Sequence, residues 1–254
     1  MPASLFDLTG RVALVTGGNK GLGKAMARGF AEAGADVVIA SRHESELKTA
    51  LDEILAGTGR RGAYCVTDVS IREDVRKLAQ FALDKMGKVD ILVNNAGMNA
   101  PQAIDAITDD TWDRVLEVNL SSVMGLTREL VPQMKQRKWG RIVHISSVMG
   151  QVSKEKRNVY SATKAALIGF VRANALDLGP FNITANCIAP GPFLTDMPMS
   201  VLSDAEKQIF ADRTALGRWA EPRELVGPVL MLCSEAGSYV TGQTLFVDGG
   251  YLAR

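Results

Sequence analysis

Seven apolar runs recur along the chain, and segments with the composition of helices separate them. The runs cover residues 11–16, 36–41, 62–69, 89–97, 141–146, 182–189 and 241–250. Continuous apolar runs of this length are typical of parallel strands that are covered on both faces. Good helix formers fill residues 24–34, 44–55, 72–86, 112–134 and 160–176. This alternation predicts an α/β fold with a seven-stranded, parallel, doubly wound sheet flanked by helices on both faces.

Composition favours one domain that acts on small molecules. Hydrophobic residues make up 46% of the 254 residues and aromatic residues only 6%, which indicates a large aliphatic core. No linker rich in Pro, Gly or Ser divides the chain, so we expect residues 1–254 to form a single domain. The net charge is +1 and no long basic run appears, so we expect no nucleic-acid partner. No run reaches the ~18 apolar residues of a membrane span, so we expect no membrane contact.

Cysteine and histidine usage bears on the compartment and on metals. Cys65, Cys187 and Cys233 are odd in number, far apart and set among apolar neighbours. They are expected to be buried free thiols of a cytoplasmic protein rather than disulfides. His43 and His144 have no partners at metal-ligand spacing, and His144 is interpreted as a packed strand residue. No metal site is predicted.

One stretch, residues 140–167, brings a strand end and a helix start together. Ser147 lies where the fifth run ends, and Tyr160 and Lys164 are four residues apart on the next helix, hence on one face. An ammonium and a cationic nicotinamide both favour the phenolate, so we expect a lowered pKa that makes Tyr160 a general acid or base. Ser147 would donate to the same substrate oxygen. For a Tyr-x-x-x-Lys pattern alone, the alternative is an ordinary surface helix.

A Gly-rich turn between the first strand and the first helix predicts a dinucleotide site of the Rossmann type. Glycines let the backbone approach a pyrophosphate, and a helix N-terminus favours its negative charge. The cofactor residues expected here are Gly17, Asn19, Lys20, Gly21, Leu22 and Gly23. Their spacing departs from the common G-x-G-x-x-G pattern, so a plain structural turn is the alternative.

The end of the second strand indicates which dinucleotide is bound. An NAD enzyme usually carries an acidic residue there, whereas this chain has Ser41 and Arg42. Ser41 can donate a hydrogen bond to a ribose phosphate, and the Arg42 guanidinium can form two charge-assisted hydrogen bonds with it. Lys20 adds a second cation. NADP(H) is therefore predicted over NAD(H). The alternative is a pair of solvated surface cations.

Together these motifs resemble those of the short-chain dehydrogenase/reductase family over nearly the whole chain. The Gly turn follows the family form T-G-x-x-x-G-x-G, and Asn119, Ser147, Tyr160 and Lys164 match its catalytic tetrad. The resemblance implies that Asn119 shapes a water and proton path to Lys164, and we expect Lys164 to hold the nicotinamide ribose.

Further family motifs follow the third, fourth and sixth strands. The resemblance implies that Asp68 meets the adenine amine, that Asn95 ties strands together beside the cofactor, and that Thr195 meets the nicotinamide carboxamide. The remaining cofactor residues that it implies are Val69, Ala96, Gly97, Pro190, Gly191 and Phe193. All follow strand carboxyl ends, where ligands of open α/β sheets bind.

Two segments are predicted to form the substrate side of the site. Residues 193–215 are interpreted as a lid. Its candidate lining residues are Met197, Met199, Leu202 and Ile209. Loop 151–158 is net positive. We expect substrate contacts from Met149, Arg157 and Met197, with Arg157 recognising a carboxylate or phosphate. The alternative is a solvated loop whose charges serve solubility.

These features predict an NADP(H)-dependent oxidoreductase that moves hydride between the nicotinamide and a secondary alcohol or ketone. Small polar or anionic carbonyl compounds, such as sugars, sugar acids and keto acids, are the first substrate class. The alternative within the family is a 3-oxoacyl-acyl-carrier-protein reductase, for which Lys138 supplies one basic docking residue and Phe181 stands where the second would be. Outside the enzymes, the alternative is a dinucleotide-binding sensor without turnover.

Two helices, residues 112–134 and 160–178, predict a homotetramer. A surface helix needs only one apolar face, and these have more. The residues concerned are Val115, Val118, Val123, Leu126, Ala162, Ala166, Phe170 and Ala173. Deeper burial within the monomer is the alternative. The family resemblance implies a helix-on-helix dimer and a second interface through the seventh strand.

Overall fold

The computed structural model describes residues 5–195 and 203–253, and its core is a sheet of seven parallel strands. The strands are β1 Val12–Thr16, β2 Asp36–Ser41, β3 Gly62–Val66, β4 Ile91–Asn94, β5 Gly140–Ile145, β6 Ile183–Pro190 and β7 Thr244–Val247. Their order across the sheet is β3-β2-β1-β4-β5-β6-β7. The strand order reverses between β1 and β4, which creates a crevice at their carboxyl ends. The predicted fold class is confirmed.

Helices cover both faces of the sheet. They are α1 Gly21–Glu32, α2 Glu44–Leu55, α3 Arg72–Met86, α4 Asp109–Leu116, α5 Ser122–Arg137, α6 Asn158–Leu178, α7 Asp204–Arg213 and α8 Val226–Cys233. On one face α1, α2 and α8 bury side chains such as Phe30, Leu47 and Val229. On the other face α3, α5 and α6 bury side chains such as Leu78 and Leu126. Apolar burial on both faces explains why the strand sequences are continuous apolar runs.

Several predicted boundaries differ from the structure, among them that of β4, which is Ile91–Asn94 rather than residues 89–97. Strand β3 ends at Val66 rather than at residue 69, because the Asp68 carboxylate accepts hydrogen bonds from the Ser70 amide and hydroxyl and turns the chain. Strand β7 is limited to Thr244–Val247. The helix predicted over residues 112–134 begins at Asp109 and contains a π-helical turn at Glu117–Ser121 between α4 and α5. In contrast, β2, α2 and α3 have the predicted bounds.

The cysteines and histidines are placed largely as predicted. All three cysteines are free, and Cys187 and Cys233 are buried. Cys65 is partly exposed, contrary to prediction, because β3 is an edge strand and its faces are less covered. His144 is buried in β5, where its Nδ1 atom lies 3.1 Å from the Asn94 amide.

Residues 5–195 and 203–253 contain neither a membrane-spanning helix nor a cluster of metal ligands. No helix in these ranges is long and apolar enough to cross a membrane. No group of three or more His, Cys, Asp or Glu side chains there could hold a metal ion.

Candidate active site

A cleft of about 500 Å³ opens where the strands end, and the segments after all seven strands contribute to its lining. Every cofactor residue proposed from the sequence borders this cleft, from Gly17 after β1 to Thr195 after β6. Ser147, Met149 and Arg157 border it as well. Asn119 is buried behind the lining, and Met197, Met199 and Leu202 lie outside the described residues.

The Gly turn has the shape that a dinucleotide phosphate requires. Gly17 and Gly21 have φ values of +67° and +53°, which residues with a Cβ rarely adopt. A Cβ on Gly23 would lie 2.1 Å from the Gly17 carbonyl oxygen. Lys20, the N-cap of α1, makes no side-chain cap, and the first turn has no acidic residue, which suits an anion at this helix N-terminus. The Glu46 carboxylate of α2 accepts a hydrogen bond from the neighbouring Asn19 side chain. The residues present therefore fit a dinucleotide.

The adenosine end of the cleft carries two cations without close acidic partners. Among the described residues, no salt bridge or side-chain hydrogen bond involves Arg42 or Lys20. Burial raises the pKa of Asp68, but hydrogen bonds from Ser70 and the charges of Arg42 and Arg114 outweigh burial and lower it overall. The structure thus adds Arg114 to this end of the cleft. It comes from α4, which no spacing rule links to the Gly turn.

Asn95 performs the strand-tying role that the family resemblance implied. Its Nδ2 atom donates to the main-chain carbonyl oxygens of Thr16 at 2.8 Å and of Gly17 at 3.2 Å. The Thr16 hydroxyl in turn accepts from the Asn95 and Ala96 amides, both at 3.0 Å. These contacts fix β4 against the Gly turn at the strand-order switch.

Ser147, Tyr160 and Lys164 converge at the end of β5. The Ser147 oxygen accepts from the Met149 amide at 3.1 Å, which leaves its proton for another acceptor. The Lys164 ammonium donates to the Ile145 carbonyl at 2.7 Å and lies 5.6 Å from the centre of the Tyr160 ring. A strand end and one helix face thus place a hydroxyl, a phenol and an ammonium around one point of the cleft.

The pKa of Tyr160 differs from the prediction. Burial raises it, and this exceeds the lowering by a hydrogen bond with Ser147 and by the charge of Arg157. Burial also lowers the pKa of Lys164 to about 8. The expected fall in the Tyr160 pKa is therefore wrong for the protein chain alone, because the sequence does not show how strongly the phenol is desolvated.

Asn119 lies in the π-helical turn and is fully buried. Its side chain hydrogen-bonds to both main-chain groups of Met98 and donates to the Thr163 hydroxyl at 3.1 Å. π-Helical turns often mark functional positions because they redirect one side chain. Here the turn directs the amide toward Met98 in the loop after β4 and toward Thr163 of α6, the helix that carries Tyr160 and Lys164.

The loop that carries Arg157 is tied to a neighbouring loop. Arg157 pairs with Gln102 in an isolated parallel bridge, and the Gln102 amide donates to the Lys156 carbonyl at 3.0 Å. Lys156 adopts φ +64°, an unfavourable value for a residue with a side chain. The half-buried Arg157 forms no side-chain hydrogen bond or salt bridge within the described chain.

Three aromatic rings that the sequence analysis did not identify also border the cleft. Phe210 of α7 packs against Trp219 and Tyr251, and all three line the cleft. They come from the lid segment, the loop after it and the end of the chain. No periodic pattern connects them, so only the folded chain reveals the cluster. Ile209, the lid residue predicted to line the site, is 62% exposed and does not border the cleft, because α7 turns Phe210 inward instead.

A doubly wound parallel sheet with a Gly-turn dinucleotide site and a Ser, Tyr and Lys cluster defines a nicotinamide-dependent oxidoreductase. The family model described as enoyl-(acyl carrier protein) reductase matches residues 17–252. The chain belongs to the short-chain dehydrogenase/reductase family. The relatives that it matches are oxidoreductases that act on CH–OH and keto groups.

The relatives have several substrates. The chain is 37% identical to a 3-oxoacyl-acyl-carrier-protein reductase of Aquifex aeolicus, over 96% of this chain and 98% of the relative. It is 37% identical to a 2-dehydro-3-deoxy-D-gluconate 5-dehydrogenase of Dickeya dadantii, over 100% of both chains. A gluconate 5-dehydrogenase from Burkholderia cenocepacia, solved with NADP and tartrate, matches with TM-score 0.94 and 36% identity over 100% of both chains.

Proposed function

We propose that the protein is an NADP(H)-dependent oxidoreductase for secondary alcohols and ketones that carry an anionic group. Arg157 carries this proposal: its guanidinium borders the cleft, and its charge acts on the Tyr160 phenol. Within the described chain no carboxylate neutralises it. A substrate carboxylate would supply the missing partner by a charge-assisted contact. The Burkholderia relative was solved with tartrate, a dicarboxylate.

The chain's own groups account for the proton and the charge that move during turnover. The bound nicotinamide supplies or accepts the hydride. In reduction, the Tyr160 phenol gives its proton to the carbonyl oxygen as the carbon is reduced, and Ser147 donates a hydrogen bond to the same oxygen. Lys164, close to the Tyr160 ring, stabilises the phenolate left behind. Asn119 holds the Met98 segment, and with it one wall of the cleft, in place.

The preference for NADP(H) rests on Arg42 and Lys20. Both border the adenosine end of the cleft, and the acidic residue that would contact a ribose hydroxyl in an NAD enzyme is replaced by Ser41. A ribose phosphate would meet two unpaired cations there. The Burkholderia relative was solved with NADP.

A 3-oxoacyl-acyl-carrier-protein reductase is the second candidate, favoured by one contact on the surface. The Lys135 ammonium lies 4.5 Å from the centre of the Phe181 ring. Lys135 thus supplies a cation beside Phe181, the position at which the second basic docking residue is missing. Lys138, the first docking residue, is three residues from Lys135 in sequence. The relative from Aquifex has this activity.

A screen of NADPH consumption decides between these candidates. The substrates are keto acids, keto sugar acids, neutral keto sugars, uncharged ketones and oxoacyl thioesters. We expect Arg157→Ala to raise KM for anionic ketones about tenfold or more, with little effect on neutral analogues. Arg223→Ala, which removes an exposed charge outside the cleft, is the matched control.

The outcomes separate the candidates. A wild-type preference for uncharged ketones, or an equal effect of Arg157→Ala on charged and neutral substrates, would contradict the anionic substrate. Activity confined to oxoacyl thioesters would favour the second candidate. NADPH binding without consumption in any assay would favour the sensor.

A further inference from the structure

One wall of the substrate cleft consists of aromatic rings that the reaction itself does not need. The Phe210 ring lies 5.6 Å from Trp219 at 60° and 6.3 Å from Tyr251 at 19°, centre to centre. We call these three residues the aromatic wall. They border the same cleft as Ser147 and Tyr160.

The wall is held in place by contacts that use its polar atoms. The Trp219 Nε1 atom donates to the Lys207 carbonyl at 2.8 Å, so the indole has no donor left for a ligand. Tyr251 is almost fully buried. Ala220, which follows Trp219, pairs with Phe193 in a parallel bridge that attaches the Trp219 loop to the end of β6. The wall therefore lines the cleft with aromatic rings, of which Trp219 is fixed through its indole N–H and its loop.

Two cations anchor the wall, one from loop 151–158 and one from the end of α7. The Lys154 ammonium lies 4.9 Å from the centre of the Phe210 ring, and the Arg213 guanidinium 4.7 Å from that of Tyr251. These contacts engage both side chains with protein rings. Of the three cations in loop 151–158, Arg157 is the one that borders the cleft.

The described residues near the catalytic group are mostly apolar. Val148 and Met149 share a buried cluster with Tyr251, and Tyr160 and Phe210 pack against it. Met98 and Pro192 line the same cleft, as do the polar residues Asn99 and Arg157. A chain of hydroxyl groups would give up hydrogen bonds to water here and find few in return. An apolar ring has no hydrogen bonds to water to give up, and it would gain stacking contacts with the aromatic wall.

We propose that the preferred substrate is a ring-bearing carboxylic acid whose ring packs on the aromatic wall while its carboxylate contacts Arg157. The reactive group is a ketone, or the corresponding secondary alcohol, between the two. This inference rests on the proposed function and narrows it from anionic carbonyl compounds in general to those with an aromatic or alicyclic body.

The wild-type enzyme tests the substrate class directly. The probes are benzoylformate, benzoylpropanoate and benzoylbutanoate, which vary the distance between carbonyl and carboxylate, their methyl esters, and ketogluconate. We expect kcat/KM with NADPH to be at least about tenfold higher for the best benzoyl acid than for ketogluconate or for its own ester. Equal or better turnover of ketogluconate overturns the ring preference and leaves the proposed function intact. No turnover of any anionic ketone defeats the proposed function itself.

Variants of the wall distinguish substrate contact from lid packing. Phe210→Leu and Trp219→Leu should lower kcat/KM for the best benzoyl acid about tenfold, while the rate with ketogluconate changes less than about twofold. Trp219→Phe, which keeps an aromatic face, should lose less. Phe246→Leu is the control, because Phe246 packs on the same cluster as Tyr251 without bordering the cleft. Equal losses on both substrates, or the same selective loss in Phe246→Leu, overturn the proposal.

Discussion

The side-chain amide of Asn119 satisfies both main-chain groups of Met98. Its Oδ1 atom accepts from the Met98 amide at 2.8 Å, and its Nδ2 atom donates to the Met98 carbonyl at 2.9 Å. Met98 and its neighbour Gly97 border the cleft, so a residue in the middle of a helix controls the shape of the cofactor site. The π-helical turn is what points the amide away from its own helix.

Asn119→Ala should therefore affect both stability and cofactor binding. Two buried main-chain groups would lose their partner, which costs roughly 2 to 4 kcal/mol in the free energy of unfolding. The loosened Met98 segment should also raise KM for NADPH. Asn186 provides the control, because its amide likewise bonds main-chain groups, at Val240 and Gln243, but does not border the cleft. If Asn186→Ala raises KM for NADPH equally, the effect of Asn119 is only one of stability.

Tyr160→Phe should lose turnover while NADPH still binds, because the phenol acts on the transition state. The expected loss in kcat is about 10² to 10⁴. Tyr239→Phe alters a fully exposed tyrosine and should leave the rate unchanged. More than roughly a tenth of wild-type activity in Tyr160→Phe would show that another group is the general acid.

The raised pKa of Tyr160 also fixes the sign of the pH dependence. Reduction needs the protonated phenol, so its kcat/KM should stay level through neutral pH and fall only in alkaline solution. Rates measured across this range with a fixed ketone test the assignment. A fall that begins in mildly acidic solution would mean that the phenol already titrates there and that its pKa is lowered rather than raised.

Cofactor choice should depend on Arg42. Arg42→Ala removes a cation that meets a phosphate present only in NADP(H), so KM for NADPH should rise about tenfold and KM for NADH should change little. Lys48→Ala removes an exposed charge from α2 without touching the cleft and serves as the control. Equal catalytic efficiency of the wild type with both cofactors would remove the basis of this prediction.

His144 should make the protein sensitive to acid. Burial, with a smaller contribution from the Lys164 charge, lowers the pKa of His144 from 6.5 to about 3. Between these pH values His144 binds a proton in the unfolded chain but not in the folded one. The free energy of unfolding therefore decreases as pH falls from 6.5 toward 3. The loss approaches roughly 5 kcal/mol at the acid end. Urea midpoints of the wild type and His144→Gln, measured between those pH values, test this: the variant should lose less stability, and parallel curves would contradict the assignment.

The sequence predicts those features that depend on neighbours along the chain. The bounds of β2, α2 and α3 follow from local apolar patterns, and Tyr160 and Lys164 share a helix face by spacing alone. Features that depend on distant segments do not follow. Burial of Tyr160 reverses its expected pKa shift, and the aromatic wall combines Phe210 with Trp219 and Tyr251 from separate loops.

The oligomeric state of the protein is the last prediction, and the structure reduces the set of apolar residues that support it. Of the apolar positions first considered, Val115, Val123 and Leu126 are buried within the chain itself and need no partner. Other apolar side chains remain exposed on the same surface, including Met124 of α5 at 38% and Leu176 of α6 at 80%.

The outer face of α6 also suits close packing against another helix. Ala162, Ala165, Gly169 and Ala173 are exposed small residues there, and a Cβ on Gly169 would meet no atom within 4 Å. At the far edge of the sheet, β7 pairs with β6 alone among the strands of the described residues, and Tyr239, shortly before it in sequence, is fully exposed. An unpaired edge strand offers a second contact surface.

We therefore propose a homotetramer built from a helix interface, through α5 and α6, and an edge interface beside β7. Gly169→Trp should block close approach of the helices and yield dimers, because only the edge interface remains, while Lys48→Trp, on the exposed side of α2, should leave the tetramer intact. Sedimentation velocity at micromolar concentration measures both variants and the wild type. A wild-type monomer under these conditions would rule out the assembly, and a Gly169→Trp tetramer would rule out the helix interface.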